Sequence, residues 1–163
     1  MTTTTVVLAR HGRTAWHRPT RYTGRSDVPI DEVGVAQAAR LGEWAAGQGF
    51  AALACSQLVR ARQTAAAVPG LTPLVDERLR ELDFGVAEGH TLAELRAGDA
   101  AMVERFEADP VAGHFPEGEP PGDAAGIRQA GLLIDSFVLA PHLSSREREG
   151  NSMRKRIKAV IAV

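Results

Sequence analysis

No apolar run in this 163-residue chain approaches the ~20 residues that a membrane span requires, so a bilayer-crossing helix is not expected. Ahead of the first apolar stretch there is neither a basic segment nor a cleavage-type sequence, which predicts a cytoplasmic protein without a secretory leader. Cysteine occurs once, at Cys55, so no internal disulfide can form. Within the run FAALAC that thiol reads as a buried, inert side chain rather than a nucleophile. Lysine is confined to Lys155 and Lys158 and asparagine to Asn151, which leaves arginine as nearly all the positive charge of the body. Arginine's planar fork suits phosphate and carboxylate, although a coding bias towards arginine gives the same count. Before position 144 the arginines are scattered, with no aromatic-interleaved basic stripe, which argues against a nucleic-acid surface.

What is present is ordinary for a globular protein: 44% hydrophobic and 24% charged residues, with a net charge of −1. The length fits one domain, 1–163, with a genuine core. The apolar and β-branched run Val6-Val7-Leu8-Ala9 predicts a buried strand over 4–9. Helix 32–48, strand 51–55, helix 57–68 and a short strand at 73–76 follow. Strands alternating with helices predict an α/β fold, three layers in the order α/β/α around a mostly parallel sheet. In the first helix Val33, Ala36, Leu41, Trp44 and Ala45 share a face and read as the core stripe. Ser56 is the expected N-cap of the second helix, whose apolar face is Leu58, Ala61, Ala65 and Val68. Thr91 and Glu94 have capping-box spacing and predict a further helix. The stretch ADPVAGHFPEGEPPGD is too rich in proline and glycine to be regular and reads as a lid or binding loop.

The first strand ends abruptly in Arg10-His11-Gly12-Arg13, at the edge where open α/β sheets place their ligands. Phosphoryl transfer to a side chain needs a nucleophile, cations against the phosphate oxygens and an acid for the departing oxygen. His11 can be the nucleophile, Arg10 and Arg60 the cations, and one of Glu81, Asp83 and Glu88 the acid. The topology brings their segments to one sheet edge. His90 and His114 read as surface loop residues, with contact to substrate as the alternative for His114 in the expected lid.

The stretches LARHGRTAW, YTGRSDVPIDEVGVAQAARLG, CSQLVRARQTAAAV, LRELDFGVAEG and FPEGE resemble, in this order and at these spacings, the histidine phosphatase superfamily, also called the phosphoglycerate mutase-like family. The resemblance covers 4–122 and points to the phosphatase branch. It implies that His11 becomes phosphorylated and that Arg10 and Arg60 bind the transferred group. It assigns Glu81 as the general acid that then activates water, and leaves Arg62 structural. Gly12, Arg13, Thr14, Thr23 and Gly24 match positions lining the substrate pocket, and His17 stands where the family usually has asparagine. No metal and no cofactor are implied. The implied ligand is a small phosphorylated metabolite, by hydrolysis or by mutase-type transfer, and a second copy of the chain is a candidate partner; a membrane is not.

The family places a second histidine after a later strand, in a His-Gly setting that this chain does not repeat after position 12. His142, following a presumptive strand at 136–140, is the candidate for that phosphate-binding role, and without it the chain would be a catalytically impaired phosphate-binding relative. Residues 123–163 thus read as divergent, the C-terminal part atypical or truncated. SSREREGNSMRKRIKAV is expected to form a solvated, charged helix, an acidic-partner or membrane-surface patch, or a tail foreign to the family.

Overall fold

The structure is a computed structural model that describes residues 3–109, 113–120 and 156–162. Strand β1 (Thr3–Ala9) leads through a polar loop to helix α1 (Glu32–Ala46), then to β2 (Ala52–Cys55), α2 (Val59–Ala65) and β3 (Leu74–Val75). Helices α3 (Leu92–Gly98) and α4 (Ala100–Ala108) follow, and β4 (Arg156–Ala162) comes last. The sheet order is β1-β4-β2-β3, all parallel, with Ala9 and Cys55 both in register with Ala162 and Cys55 with Val75. The carboxyl ends of all the strands therefore lie along one edge, from which Arg10, Ser56 and Asp76 depart.

β4 overturns the reading of its residues as a charged terminal helix. RIKAVIA is apolar after its first three residues, and it lies between β1 and β2 in the sheet. The presumptive strand 136–140 and His142 fall outside the described residues.

Helix α1 is capped as its sequence suggests, the Asp31 carboxylate accepting from Gly34 N–H at 2.9 Å. Its buried face is different from the expected stripe. Gly34, Ala38, Gly42 and Ala45 are buried, whereas Val33 and Trp44 are 42% and 45% exposed. Close approach explains this: a Cβ on Gly34 would stand 2.2 Å from Arg13 O, and one on Gly42 2.1 Å from Ala67 O. The helix packs backbone to backbone on the loop after β1 and on the end of α2, so its smallest residues face inward. α2 keeps its predicted apolar face, with Leu58, Ala61, Ala65 and Val68 all buried. Ala61, Ala65 and Val68 form the main core against the sheet with Ala45, Leu53, Cys55 and the half-buried Val7. Ser56 does not cap α2. The helix starts three residues later, and Asp27, from the loop after β1, accepts from Val59 N–H at 2.6 Å.

A second core lies under the glycine-rich and proline-rich stretch. Ala87, Leu95, Val103 and Phe115 are buried there, with Tyr22, Phe84 and Phe106 packed around them. Phe106 stacks on Phe115 at 4.1 Å, and the Tyr22 ring meets Phe84 and Phe115 at 5.1 Å. Few as they are, the aromatics are concentrated here, and Phe115 pins the expected lid to the body. The capping box is present at α3, and the Glu94 carboxylate also takes both Nη1 and Nη2 of Arg21, at 2.6 and 3.0 Å. That fork, with the Thr91 N–H, holds the Glu94 carboxyl down at about 2. A depressed carboxyl stabilises the fold above its unfolded value and ceases to do so as pH falls through the folded value. Thermal unfolding between pH 5 and 2 is therefore expected to show a loss of stability that Glu94→Gln flattens. An unchanged acid profile in that variant would contradict the assignment.

Candidate active site

His11 stands two residues beyond β1, half-buried, on a loop that the rest of the molecule holds by its backbone. Gly12 N–H donates to Thr64 Oγ1 at 2.9 Å, and that hydroxyl donates to Arg60 O at 2.8 Å, which ties the loop to α2. A Cβ at Gly12 would lie 2.6 Å from Gly34 O, so glycine is needed for the close passage of α1. The His11 Nδ1 lies 2.8 Å from Gly12 O. A carbonyl only accepts, so Nδ1 carries the proton and Nε2 keeps its lone pair. Burial, together with the charges of Arg60, His17 and Arg10, lowers the imidazole to about 4, the Gly12 bond opposing only in part. At neutral pH the ring is an uncharged base with Nε2 open.

His17 lies beside it, edge to face, with ring centroids 5.4 Å apart. The buried Thr14 supplies its N–H at 3.1 Å and its hydroxyl at 3.0 Å to the His17 Nδ1. The neutral ring therefore bears its proton on Nε2. Partial burial and the charge of Arg10 move His17 downward from the ordinary histidine value, while Asp31 pulls the other way. An NMR titration of the imidazole protons is expected to place His11 near 4 and His17 below 6.5, with both rising in Arg10→Ala. Ordinary midpoints for both would remove the electrostatic argument for the site.

Arg60, on the first turn of α2, is 2% exposed. Its Nη1 donates to Ser26 O at 2.8 Å and its Nη2 to Gly24 O and Thr23 O at 2.7 and 3.3 Å. Of the five donors a guanidinium has, the Nε–H and one Nη1–H meet no acceptor among the described residues. Burial moves Arg60 downward, opposed first by the charge of Glu81 and then by Glu88 and Asp27. Glu81, which follows β3 and the short turn Glu77–Leu79, is exposed, its Oε1 accepting from Leu82 N–H at 3.0 Å. Arg10 is exposed at the end of β1, and its charge is felt by both histidines.

The structure thus brings together His11, His17, Arg10 and Arg60, with Glu81 in electrostatic reach of Arg60. Other residues from the same motifs make contacts within the chain. Arg13 Nε donates to Asp31 at 2.7 Å and its backbone N–H to Gln37 at 2.8 Å, which ties the residue to the cap of α1. Thr23 directs its hydroxyl to Arg21 O at 2.9 Å. Gly24 gives its N–H to Glu88 and its carbonyl to Arg60. Asp83 pairs with Arg25 at 3.2 Å and accepts from Gly85 N–H at 2.8 Å. His90 is exposed, with Nδ1 3.1 Å from Glu88 O. Sequence reasoning passed over Thr64, Asp27 and Ser26, whose partners lie on other segments and leave no mark in local spacing. Among the described residues, no group of three or more His, Cys, Asp and Glu side chains is placed to hold a metal ion, and no helix is long and apolar enough to cross a membrane.

Residues 6–133 match the sequence profile of the histidine phosphatase superfamily (branch 1), beyond the 4–122 read from the motifs. A probable phosphoglycerate mutase, GpmB of Yersinia pestis (strain Pestoides F), is 35% identical over 139 residues, 83% of this chain and 64% of that protein. The chain thus spans about two thirds, 64%, of the length of the curated relatives it matches. Among solved structures, YhfR of Bacillus stearothermophilus is 32% identical, with a TM-score of 0.75 over 98% of this chain and 73% of its own. A mycobacterial glucosyl-3-phosphoglycerate phosphatase, Rv2419c, is 28% identical, with a TM-score of 0.76 over 96% of this chain and 72% of its own. With the family's profile matched over most of its length and its fold shared with these structures, the chain belongs to the histidine phosphatase superfamily.

Proposed function

We propose that the chain hydrolyses small phosphate monoesters through a phosphohistidine at His11. The observation that carries this reading is the 2.8 Å contact from His11 Nδ1 to Gly12 O, which leaves Nε2 unprotonated among cations. In the first step the Nε2 lone pair attacks phosphorus, an N–P bond forms, and the ester P–O bond breaks. The departing alkoxide takes the proton of the Glu81 carboxyl. In the second step the Glu81 carboxylate takes a proton from water as the water oxygen attacks phosphorus. The N–P bond then breaks and inorganic phosphate leaves. Arg10, the free donors of Arg60 and the His17 Nε2–H meet the charge on the equatorial oxygens.

Mutase-type transfer is the second reading, favoured by the 35% identity with a probable phosphoglycerate mutase. It needs the phosphohistidine to outlast product exchange in a water-poor site.

The test is to incubate the chain with p-nitrophenyl phosphate at pH 5–8 with a chelator present, following phosphate release, and to examine the quenched His11 peptide by mass spectrometry. Release with an acid-labile phosphoryl adduct on His11 is the expected result. Exchange of phosphate between phosphoglycerates without release would favour the mutase, and the absence of both adduct and release would overturn the proposal.

A further inference from the structure

The segment Thr23 to Ser26 is held from two sides. On one side the successive N–H groups of Gly24, Arg25 and Ser26 converge on the Glu88 carboxylate at 2.9, 2.9 and 3.2 Å. The Ser26 hydroxyl and Phe84 N–H join them. On the other side the carbonyls of Thr23, Gly24 and Ser26 accept from the Arg60 guanidinium. Successive N–H groups of this kind form a concavity for an anion, and a glycine-bearing TGRS loop could be taken for a phosphate cradle. Here a carboxylate of the chain itself fills it.

The covalent geometry makes the two sides one device. The carbonyl of Thr23 and the N–H of Gly24 belong to a single peptide plane, as do the carbonyl of Gly24 and the N–H of Arg25. In a trans plane the two groups point in opposite directions, so fixing the N–H on Glu88 fixes the carbonyl on Arg60. Each plane also polarises as it bridges a negative and a positive group, which strengthens both bonds. No larger residue fits at the junction: a Cβ on Gly24 would lie 1.9 Å from Leu82 O and 2.4 Å from Glu88 Oε1. Both Glu88 oxygens accept at least two donors, a poor arrangement for a proton shuttle and a good one for an anchor.

We infer that Glu88 is a positioning residue of the phosphoryl site, which aims the remaining N–H donors of Arg60 through the peptide planes of residues 23–25 and so sets the affinity for phosphate. The inference rests on the phosphatase reading only in taking Arg60 as a phosphate ligand. Inorganic phosphate titrated calorimetrically into the wild-type chain, Glu88→Gln, Arg60→Ala and the double variant tests it, with thermal unfolding of each as the check on folding. Glu88→Gln is expected to weaken phosphate about tenfold, and the double variant to bind no more weakly than Arg60→Ala alone. Ser26→Ala, which removes one donor from the carboxylate, is expected to weaken phosphate about threefold and serves in the same cycle if Glu88→Gln does not fold. Phosphate affinity within twofold of wild type in a folded Glu88 variant, or effects that add in the double variant, would overturn the inference. If phosphate binding depends on Glu88 but p-nitrophenyl phosphate is not hydrolysed, the phosphatase reading fails and the positioning role stands. Hydrolysis with phosphate binding indifferent to Glu88 is the reverse outcome.

Discussion

His11→Ala is expected to lower phosphate release from p-nitrophenyl phosphate by on the order of 10⁴-fold or more, the scale seen when a covalent enzyme loses its nucleophile. In the proposed mechanism this residue forms the bond to phosphorus, and no other described side chain offers a lone pair in its place. His17 is adjacent, but its Nδ1 is engaged by Thr14 and its Nε2 carries the proton, so it presents a donor where a lone pair is needed. The change should leave the fold nearly intact. Among the described residues, the His11 ring hydrogen-bonds to the neighbouring Gly12 O alone, and the ring is only partly buried among cations that oppose its protonation. A steady-state assay paired with thermal unfolding checks both halves, and more than a tenth of wild-type turnover in the variant would exclude His11 as nucleophile.

Arg60→Ala is expected to damage rate and stability together. Loss of one preorganised donor to a developing phosphoryl charge costs about 2.7–4 kcal/mol, or 100- to 1000-fold in rate. Stability falls because the guanidinium is 2% exposed and three carbonyls depend on it. Leaving buried acceptors unpaired costs ~1–3 kcal/mol each, and water admitted to the space offsets part, so a net loss of about 3 kcal/mol is expected. At ~2–4 °C per kcal/mol for a chain of this size, that is roughly 6–12 °C in Tm. Arg60→Lys should recover little of either, because an ammonium cannot span carbonyls and phosphate with a planar fork. Retained Tm in Arg60→Ala would show that the loop after β1 is held without it.

The parts of the molecule that declare themselves locally were legible in the sequence. β1, β2 and β3 are short apolar runs, α2 has its stripe, and the Thr91 and Glu94 capping box sits where its spacing says. Misreadings occurred where a tertiary contact decided. Apolar periodicity assigns the face of α1 to Val33, Ala36, Leu41, Trp44 and Ala45, of which the molecule buries Ala45, and it turns Gly34 and Gly42 inward because backbones touch there. The cap of α2 was sought at Ser56 and comes from Asp27, on another segment. β4 was obscured by Arg156 and Lys158, charges that mark a strand entering the sheet and were read with the polar residues before them. In the candidate site, the roles of His11, Arg60 and Glu81 rest on motif resemblance. The anchoring task of Glu88 could not be found that way, because its partners at positions 24–26 share no local spacing with it.

The placement of β4 also governs the order in which the molecule can be made. β1 and β2 never pair with each other; each pairs with β4, from the far end of the described chain. At ~5–20 residues per second, translation alone separates the emergence of β1 from that of β4 by roughly 8–30 s. During that interval the strand carrying the His11 loop has no sheet partner on the side that β4 will fill, and pairing so distant in sequence is intrinsically slow to nucleate. The nascent chain therefore carries open strand edges that invite wrong partners, and the sheet edge bearing the candidate site is completed only once β4 has emerged.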